Sequence, residues 1–402
     1  MSAAALSDVT VLDLSRVLAG PYGTMILGDL GADVIKIEQP GLGDDTRRWG
    51  PPFTDSGQSA YFLSANRNKQ SVTLNLKDER GKAILRRLVQ QADVLIENFK
   101  VGTMARLGLG YDDLRQINPG LIYCAITGYG QSGPYHERPG YDTVIQAQGG
   151  VMSITGPAED EPFKVGVAIV DVTAGMHAVI SILAALHHRA RSGQGQFIDI
   201  ALFDAQLGWL VNVAGSYLVS GESPARYGNA HATIVPYQTF ATADGHLMLA
   251  VGNDRQFASL CGVLGKPAWI EDARFVTNPA RVAHRGVDSP AGGGIRPGAH
   301  ARVDRASTRR GRTMWAGERR ADGAFRSPGR GEGDGAICGR QPGRNDPVGG
   351  SGGEDDRDAV AGCQRAALPG RTHRGCPTQA AWYVGGRNWC FAGRRCGVGD
   401  MR

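Results

Sequence analysis

The sequence predicts an α/β protein: a large Rossmann-like domain with a mainly parallel sheet, followed by a smaller and incomplete second domain. Through the first 130 residues, short β-branched runs alternate with helical segments, which favours a parallel sheet covered by helices on both faces. After Arg285 the composition changes abruptly, so only the preceding residues have the composition of a folded protein. We therefore divide the chain into a large domain (1–224), the start of a small domain (225–285) and a tail (286–402).

The elements of the large domain follow from hydrophobic periodicity. In chain order they are strand 9–14, helix 21–30 closed by Gly31, strand 32–37, helix 78–91, strands 93–97 and 120–127, helix 172–189, strand 196–200 and a helical segment 201–218. Helix 78–91 carries acids in its first turn, where the helix dipole favours them. Helix 172–189 is apolar nearly all round, so we expect it to be buried.

The second domain begins with a hairpin. Segments 236–241 and 246–251 flank Asp244 and Gly245, a pair that is typical of a tight turn between antiparallel strands. The pattern stops near residue 285, so the sequence predicts a small domain that does not complete.

Composition and missing motifs argue against several functions. The first strand-to-helix turn lacks the G-x-G-x-x-G pattern of dinucleotide binders, and there is no Walker A sequence. The first 285 residues carry 24 basic and 27 acidic side chains, so neither a nucleic acid nor a membrane is expected as a partner. The start lacks a secretory pattern, and no apolar run reaches the roughly 18–20 residues of a membrane span. With only Cys124 and Cys261 before the break, we expect a cytoplasmic protein.

Asp171 is the sharpest candidate for a functional residue. It stands between an apolar, strand-like run (165–170) and the predicted helix 172–189, a position typical of a helix N-cap. The same position suits a nucleophile, because the positive end of the helix dipole stabilises a carboxylate. The two roles are compatible, and the residues alone do not choose between them.

Several other polar residues are interpreted structurally. Three histidines of the predicted long helix lack the partners of a metal site, so no metal is expected. The glycine-rich loop 128–134 is interpreted as a plain turn. The three histidines are His177, His187 and His188. We interpret Arg67 and Lys69 as solvated charges at a strand edge and Cys124 as a buried small hydrophobe.

Five long segments, in one order, carry a family resemblance. They are 11–47 (VLDLSRVLAGPYGTMILGDLGADVIKIEQPGLGDDTR), 66–77 (NRNKQSVTLNLK), 93–114 (DVLIENFKVGTMARLGLGYDDL), 126–134 (ITGYGQSGP) and 166–205. Over residues 8–285 the chain resembles the family III CoA-transferases, the CaiB/BaiF family. Within that family, WGPPF at 49–53 and RYGNAHATIVPYQTFATADG at 226–245 are most similar to the succinyl-CoA:glutarate (hydroxymethylglutarate) CoA-transferase branch.

The resemblance implies that Asp171 is the catalytic carboxylate. It would attack an acyl-CoA to give an aspartyl–acyl anhydride and then an aspartyl-CoA thioester, from which CoA passes to a second carboxylic acid. CoA is then a substrate, with no tightly bound cofactor, and an interlocked homodimer is expected. The resemblance assigns CoA contacts to Leu18, Ala19, Gln39, Leu74, Asn75, Leu76, Lys77, Asn98, Phe99, Lys100, Arg106, Arg138 and Tyr141.

Two departures separate this chain from neighbouring branches of the family. The formyl branch has Gln where this chain has Leu18, so its substrate preference does not carry over. The 2-methylacyl-CoA racemase branch is the alternative enzyme, and it uses a His in the segment aligned with residues 140–142. Here that residue is Tyr141, whose reference pKa of about 10 makes it a poor base near neutral pH. The resemblance therefore favours a transferase.

The tail has a composition unlike that of the preceding residues. Its 117 residues include 26 Gly and 20 Arg, no Lys, one Leu (Leu368) and five of the seven cysteines. A single Leu excludes an ordinary folded core. An Arg/Gly-rich RNA-binding arm is one interpretation, and an out-of-frame translation is the other.

The codons of the tail favour the out-of-frame interpretation. Met and Trp have one codon each, so Thr313, Met314, Trp315 and Ala316 imply ACN ATG TGG GCN. Read one base later, these bases force Cys-Gly. Extended from Arg310 to Arg319, that frame permits Ala-Gly-Val-Pro-Cys-Gly-Pro-Val-Asn-Asp, which is similar to a Gly-Val-Pro-x-Gly-Pro-[Ile/Val]-Asn motif of the family. A frameshifted chain lacks the family's last third, so we expect its activity to be impaired.

Overall fold

The computed structural model describes residues 4–242 and 245–285, together with three two-residue strands beyond them. Over the described residues the chain divides into two compact units, one containing 4–151 and 165–222 and the other 152–164 and 223–285. Asp244 of the predicted hairpin turn lies outside the described residues. So does the predicted out-of-frame tail, apart from the three short strands.

The strands of the first unit are short, and most are buried. In chain order the strands are β1 Thr10–Asp13, β2 Asp33–Glu38, β3 Lys69–Thr73, β4 Val94–Glu97, β5 Ile122–Thr127, β6 Phe197–Ala201, β7 Tyr237–Thr242, β8 Gly245–Ala250, β9 Glu318–Arg319, β10 Phe325–Arg326 and β11 Gln364–Arg365.

The helices range from single turns to one of 24 residues. They are α1 Ala19–Asp29, α2 Ala60–Ala65, α3 Glu79–Val89, α4 Thr103–Arg106, α5 Tyr111–Leu114, α6 Asp142–Gln148, α7 Val151–Ile154, α8 Ile169–Ser192, α9 Leu202–Leu207, α10 Val211–Ser220, α11 Asp254–Leu264 and α12 Asn278–Ala283.

Six parallel strands form the sheet of the first unit, in the order β3-β2-β1-β4-β5-β6. Val11 of β1 is in register with Val34 of β2 on one side and Val94 of β4 on the other. At the outer edge, β11 pairs antiparallel with β3. The strand order reverses between β1 and β4, and in doubly wound sheets ligands bind outside the carboxyl ends of the strands at such a point.

Alternate residues along each strand supply two cores, one on each face of the sheet. In β5, Cys124 belongs to the core that includes α1 and α8, whereas Tyr123 belongs to the core that includes α3 and α5. The sheet is therefore sandwiched between two helical layers, as the alternation of strands and helices predicts. Cys124 is fully buried, which confirms its interpretation as a small hydrophobe.

The second unit contains an antiparallel hairpin, in which β7 pairs with β8. Phe240 and Leu249 of the hairpin share a core with Phe257 of α11. Arg281 is buried beside this core. Its guanidinium donates to the carbonyl oxygens of Val235 and Phe275 and pairs with Asp254 at 2.7 Å.

The predicted strands and helices of the sheet are confirmed to within two or three residues, but three expectations need correction. Strand β3 includes Lys69, which was expected to lie before a strand, because the polar sequence KQSVT gives no apolar run from which to set the strand's bounds. The helical segment 201–218 divides into α9 and α10, separated by a 3-10 turn over Gly208–Leu210. Helix α8 is buried on one face only, since Met176, Ile180 and Leu183 are exposed.

Candidate active site

The carboxyl ends of the central strands lie at one edge of the sheet, and most predicted binding residues follow them there. Strands β1 to β4 are parallel, so their carboxyl ends coincide. The residues in question are Leu18 and Ala19 after β1, Gln39 after β2, Leu74, Asn75, Leu76 and Lys77 after β3, and Asn98, Phe99 and Lys100 after β4. The resemblance and the topology thus agree on one edge of the sheet.

Helices α1 and α8 approach closely where each carries a glycine. A Cβ on Gly23 would lie 3.0 Å from the carbonyl oxygen of Gly175, and a Cβ on Gly175 would lie 2.5 Å from the carbonyl oxygen of Ala19. Only glycine allows the backbones to come this near. Asp171 stands one helical turn before Gly175, so this crossing places it close to the start of α1.

Asp171 is the third residue of α8 and is half-buried. Burial first, and the charge of Asp142 second, raise the pKa of its carboxyl to about 7. No described residue donates a hydrogen bond to this carboxylate. The expectation that Asp171 is the N-cap is wrong, because Ala168 occupies that position, and the run 165–170 is not a strand.

Asp142, which lies on the neighbouring helix α6, caps the first turn of α8. It is the buried first residue of α6, and its Oδ2 accepts hydrogen bonds from the backbone N–H groups of Val170 at 2.8 Å and Asp171 at 3.2 Å. Its Oδ1 accepts from Nε2 of Gln146 at 2.5 Å, while Oε1 of Gln146 accepts from the N–H of Val165 at 2.8 Å. Two acidic side chains therefore meet at the start of α8, and only one of them is hydrogen-bonded.

An aromatic pair stands near these acids. Tyr61 of α2 is half-buried, and Trp49 packs edge-to-face on it with ring centroids 5.1 Å apart. Burial and the charges of Asp171, Asp142 and Asp44 raise the pKa of the Tyr61 phenol. The phenol therefore stays neutral, so it contributes a hydroxyl group and an apolar ring to the site.

The turn between β1 and α1 is held in a strained conformation. Val17 has φ of 70°, which a β-branched residue rarely adopts. The Asn98 side chain forms two hydrogen bonds with the backbone of Arg16, the residue before Val17. Its Oδ1 accepts from the N–H of Arg16 at 2.8 Å, and its Nδ2 donates to the carbonyl oxygen of Arg16 at 2.7 Å. Asp44 accepts from the N–H of Val17. The Asn98 side chain thus supports the turn that presents Leu18.

A buried charge cluster lies beneath this turn. Asp13, Lys36, Lys69 and Asp44 are almost completely buried, and Nζ of Lys69 lies 2.9 Å from Asp13 while Nζ of Lys36 lies 3.0 Å from Asp44. Nζ of Lys36 also donates to the carbonyl oxygen of Ser15 at 2.8 Å. The interpretation of Lys69 as a solvated charge is wrong, because β3 is covered and carries this side chain inward.

Burial and charge oppose each other at the two ends of this cluster. Burial alone would raise the pKa of Asp13, but Lys36, Lys69 and the hydroxyl of Ser15 hold it well below its usual range. Burial lowers the pKa of Lys69 to about 8, against the opposing effect of Asp13. Arg67, the other residue assigned to the strand edge, is partly exposed and pairs with Asp29.

The predicted cationic ligands are exposed, and no described acid pairs with them. They are Lys77, Lys100, Arg106 and Arg138. Arg106 donates to Thr103 within its own helix, and the Arg138 guanidinium stacks on the ring of Tyr135 at 3.8 Å. Tyr141 is exposed at the N-cap of α6. The structure places Lys77 and Lys100 at the shared strand edge, whereas Arg106, Arg138 and Tyr141 lie on flanking loops and helices.

Fold and site together define a doubly wound α/β protein with a half-buried carboxylate of raised pKa and with exposed lysines where the parallel strands end. The chain belongs to CoA-transferase family III, whose model matches residues 6–310. It is 52% identical over 285 residues to a succinate–glutarate CoA-transferase of Agrobacterium fabrum, covering 70% of this chain and 71% of that protein. It is 50% identical over 280 residues to the succinyl-CoA:glutarate CoA-transferase of Mus musculus. These matches identify the chain as an enzyme that transfers CoA.

A solved structure supports the fold. A CaiB/BaiF family protein from Brucella suis is 52% identical, with a TM-score of 0.64, and the match covers 72% of this chain and 77% of that one. The alignment with the mouse enzyme covers 70% of this chain but only 64% of the relative, so about a third of that protein has no counterpart in the aligned part.

Sequence reasoning missed Asp142, Gln146 and the inward-pointing Lys69. A signal for Asp142 exists, since an acid after Pro139 and Gly140 and before an apolar-periodic segment is typical of a helix start. The hydrogen bonds of Asp142 to the start of a second helix, 29 residues later, could not be predicted from the sequence, because they depend on how α6 packs against α8.

Proposed function

We propose that this chain is an enzyme that moves CoA from succinyl-CoA to a second dicarboxylate such as glutarate, with Asp171 as the nucleophile. The observation that carries the proposal is the position of Asp171: it is half-buried, lies at the start of α8 beside α1, and receives no hydrogen bond from a described residue. A carboxylate in that state keeps its lone pairs available for attack. The two relatives that are about 50% identical carry the names of enzymes that use these acids.

The reaction divides into balanced acyl transfers. One oxygen of Asp171 attacks the thioester carbonyl of succinyl-CoA, the C–S bond breaks, and CoA leaves as thiolate. The thiolate then attacks the aspartyl carbonyl of the mixed anhydride and releases succinate, which takes away one oxygen of Asp171. Glutarate attacks the resulting aspartyl-CoA thioester, and the same steps run in reverse. The thioester energy is conserved throughout, so no ATP is consumed.

The exposed cations at the strand edge and on the flanking loops and helices support a role in binding CoA. Lys77, Lys100, Arg106 and Arg138 are exposed and are not paired with a described acid, and CoA carries phosphates that such cations bind. Asn98 contributes differently, because its side chain is occupied by the backbone of Arg16. We assign it to holding the turn at Leu18 and Ala19, with any CoA contact left to its backbone.

The exposed face of α8 supports a homodimer. Met176, Ile180 and Leu183 repeat at helical spacing and are each more than a third exposed. Helix α10 has no buried residue, and Val219 on it is 91% exposed. Apolar surface of this extent on a globular chain is typical of a protein–protein contact. A second copy of the chain is the partner we propose, in a cytoplasmic setting.

The division at residue 285 supports a frameshift in the coding sequence. The alignments with the Agrobacterium and mouse relatives cover 285 and 280 residues, 70% of this chain, so about as many residues stay unaligned as the tail contains. In this interpretation, residues 1–224 form the CoA-binding and catalytic domain, residues 225–285 begin the small domain, and the rest is out of frame. The test is the coding DNA: removing one base, or adding two, near codon 285 should open a full-length family member. Stop codons in that frame before codon 320 would refute it.

The function is tested by product formation from succinyl-CoA and glutarate. Glutaryl-CoA and free succinate are measured by chromatography for the chain as printed and for the chain with the restored frame, each with Asp171 and with Asp171→Asn. We expect the substitution to reduce turnover at least about 10³-fold, because it removes the nucleophile and keeps the shape. Asp113→Asn, which alters an exposed acid that caps α5, is the matched control and should leave turnover unchanged.

Each outcome has a definite meaning. Transfer that survives Asp171→Asn removes Asp171 as nucleophile. If the protein of the given sequence is inactive and the protein with the restored frame is active, the result supports both the function and the frameshift. Absence of transfer in both, with several acyl-CoA donors and dicarboxylates, would contradict the proposed function.

A further inference from the structure

Asp142 is buried at the start of α8 and accepts more hydrogen bonds than a single helix cap requires. It is 9% exposed, and its two oxygens accept three hydrogen bonds, from the N–H groups of Val170 and Asp171 and from the amide of Gln146. Three donors on two oxygens fit the ionised carboxylate, which is an acceptor only. Gln146 is fully buried, and its own carbonyl oxygen is anchored by the N–H of Val165. This chain of contacts ties α6 to the segment that leads into α8.

The first turn of a helix leaves backbone N–H groups without partners, and a side chain at the N-cap normally satisfies one of them. Here the N-cap is Ala168, which has no polar side chain. Asp142 supplies the acceptor from outside the helix. The N–H groups that an acid in the first turn often bonds are therefore occupied, and the carboxylate of Asp171 remains without a described donor.

We propose that Asp142, braced by Gln146, is a positioning residue that fixes the first turn of α8 and governs the reactivity of Asp171 at neutral pH. The inference rests on the proposed function of Asp171 as nucleophile. Asp142 touches no reacting atom in this account. It acts through the backbone of α8 and through its charge.

The electrostatics agree with this geometry. The positive end of a helix ordinarily stabilises a carboxylate, yet burial and the charge of Asp142 together raise the pKa of Asp171 to about 7. Other titratable groups near this end of α8 are phenols: Tyr61 of α2, which feels the charge of both acids, and Tyr22 of α1, whose ring edge would lie 3.3 Å from a Cβ on Gly175. On α9, Asp204 feels the charge of Asp199. Asp142 is thus the acid whose charge acts on Asp171.

Two substitutions separate the charge of Asp142 from its position. Asp142→Asn removes the charge and keeps the size and one acceptor oxygen. Asp142→Glu keeps the charge and moves it by one methylene. Asp113→Asn is the matched control, because it removes an acid that caps another helix, where Oδ2 accepts from the N–H of Gly110 at 3.0 Å.

The first measurement is the pH profile of kcat/KM for succinyl-CoA with glutarate. Activity of the parent chain should fall as pH falls through about 7, since Asp171 must be ionised. With Asp142→Asn the acidic limb should move down by about one pH unit, because a like charge has been removed. With Asp142→Glu the limb should stay while kcat falls about tenfold, because a displaced first turn misorients the nucleophile. An acidic limb that is unmoved in Asp142→Asn overturns the proposal.

A second measurement does not depend on catalysis. The free energy of unfolding is compared for Asp171 and Asp171→Asn across pH 4–9, in the parent and in the Asp142→Asn background. A carboxyl with a raised folded-state pKa loses stability, relative to Asn, as pH rises from its unfolded value through its folded value. That loss should be complete at a lower pH in Asp142→Asn. Identical curves in the two backgrounds refute the inference even if no transfer is found, whereas a shifted curve with no transfer in any variant refutes only the proposed function.

Discussion

Two carboxylates at the same edge of the sheet have opposite surroundings. Asp13, at the end of β1, is fully buried and is neutralised by Lys36 and Lys69. Asp171, in the first turn of α8, has another acid, Asp142, as its charged neighbour. The pKa of Asp13 is held well below its usual range although burial opposes this, whereas burial and Asp142 raise the pKa of Asp171 to about 7.

The difference separates a charge that is paired within the fold from the one that we propose as the nucleophile. Asp13 accepts hydrogen bonds from Ser15, Thr24 and Lys69, so every oxygen is occupied and the group holds β1, α1 and β3 together. Asp171 receives none from the described residues, and it is partly open to solvent. A partly exposed acid that the fold leaves without a compensating charge is a candidate for chemistry, because groups with perturbed pKa values concentrate at functional sites.

The largest expected effect comes from breaking the compensated site. Lys69→Met removes one cation from Asp13 and leaves this buried charge with Lys36 as its only described cationic partner, so we expect the free energy of unfolding to fall by about 3–5 kcal/mol. Urea unfolding at pH 7.5 measures it. The control is Arg115→Met, which breaks an ion pair between two exposed side chains, Arg115 and Asp112, and should leave the unfolding midpoint almost unchanged. Equal effects of the two substitutions would mean that the buried cluster contributes no more than a surface pair.

A smaller effect of opposite sign is expected at the uncompensated site. Asp171→Asn should stabilise the chain by about 1 kcal/mol at pH 8, because it removes repulsion with Asp142 and the burial of a charge; sites kept for function often lower stability in this way. The folded-state pKa of Asp171 is raised, so the gain should be absent near pH 4 and grow as pH rises through 7. Chemical unfolding at several pH values measures it. Destabilisation at pH 8 would show that Asp171 is a compensated structural acid like Asp13.

Most strands and helices could be predicted from the sequence, and so could the candidate role of Asp171, but not the surroundings of Asp13. Strands such as 32–37 and helices such as 78–91 could be predicted, since hydrophobic period and capping are local properties. Asp171 was found because a helix start and a family motif coincide there. Lys69 and Asp142 were not found, because their roles depend on partners 56 and 29 residues away that only the packing of β3 and α6 brings close.

The face of α8 was also beyond local prediction. The helix is apolar nearly all round, which predicts burial, but the structure buries Ala174 and Ala178 and exposes Met176 and Ile180. Small residues face α1 and the sheet because the backbones cross closely at Gly23 and Gly175. Hydrophobic periodicity shows which faces of a helix are apolar enough to be buried. It does not show whether the same chain or a second copy of it covers each face.

The central claim, that Asp171 is the covalent nucleophile, is tested most directly by following oxygen. In the proposed steps, an oxygen of the acceptor acid remains on Asp171 after each complete transfer. The enzyme is turned over with succinyl-CoA and ¹⁸O-labelled glutarate, and the peptide that contains Asp171 is analysed by mass spectrometry. We predict a gain of about 2 Da on that peptide after one turnover, rising towards about 4 Da when repeated turnovers exchange both oxygens, with the label located at Asp171 and Asp142 unlabelled. Formation of glutaryl-CoA while the Asp171 peptide stays unlabelled would contradict the account.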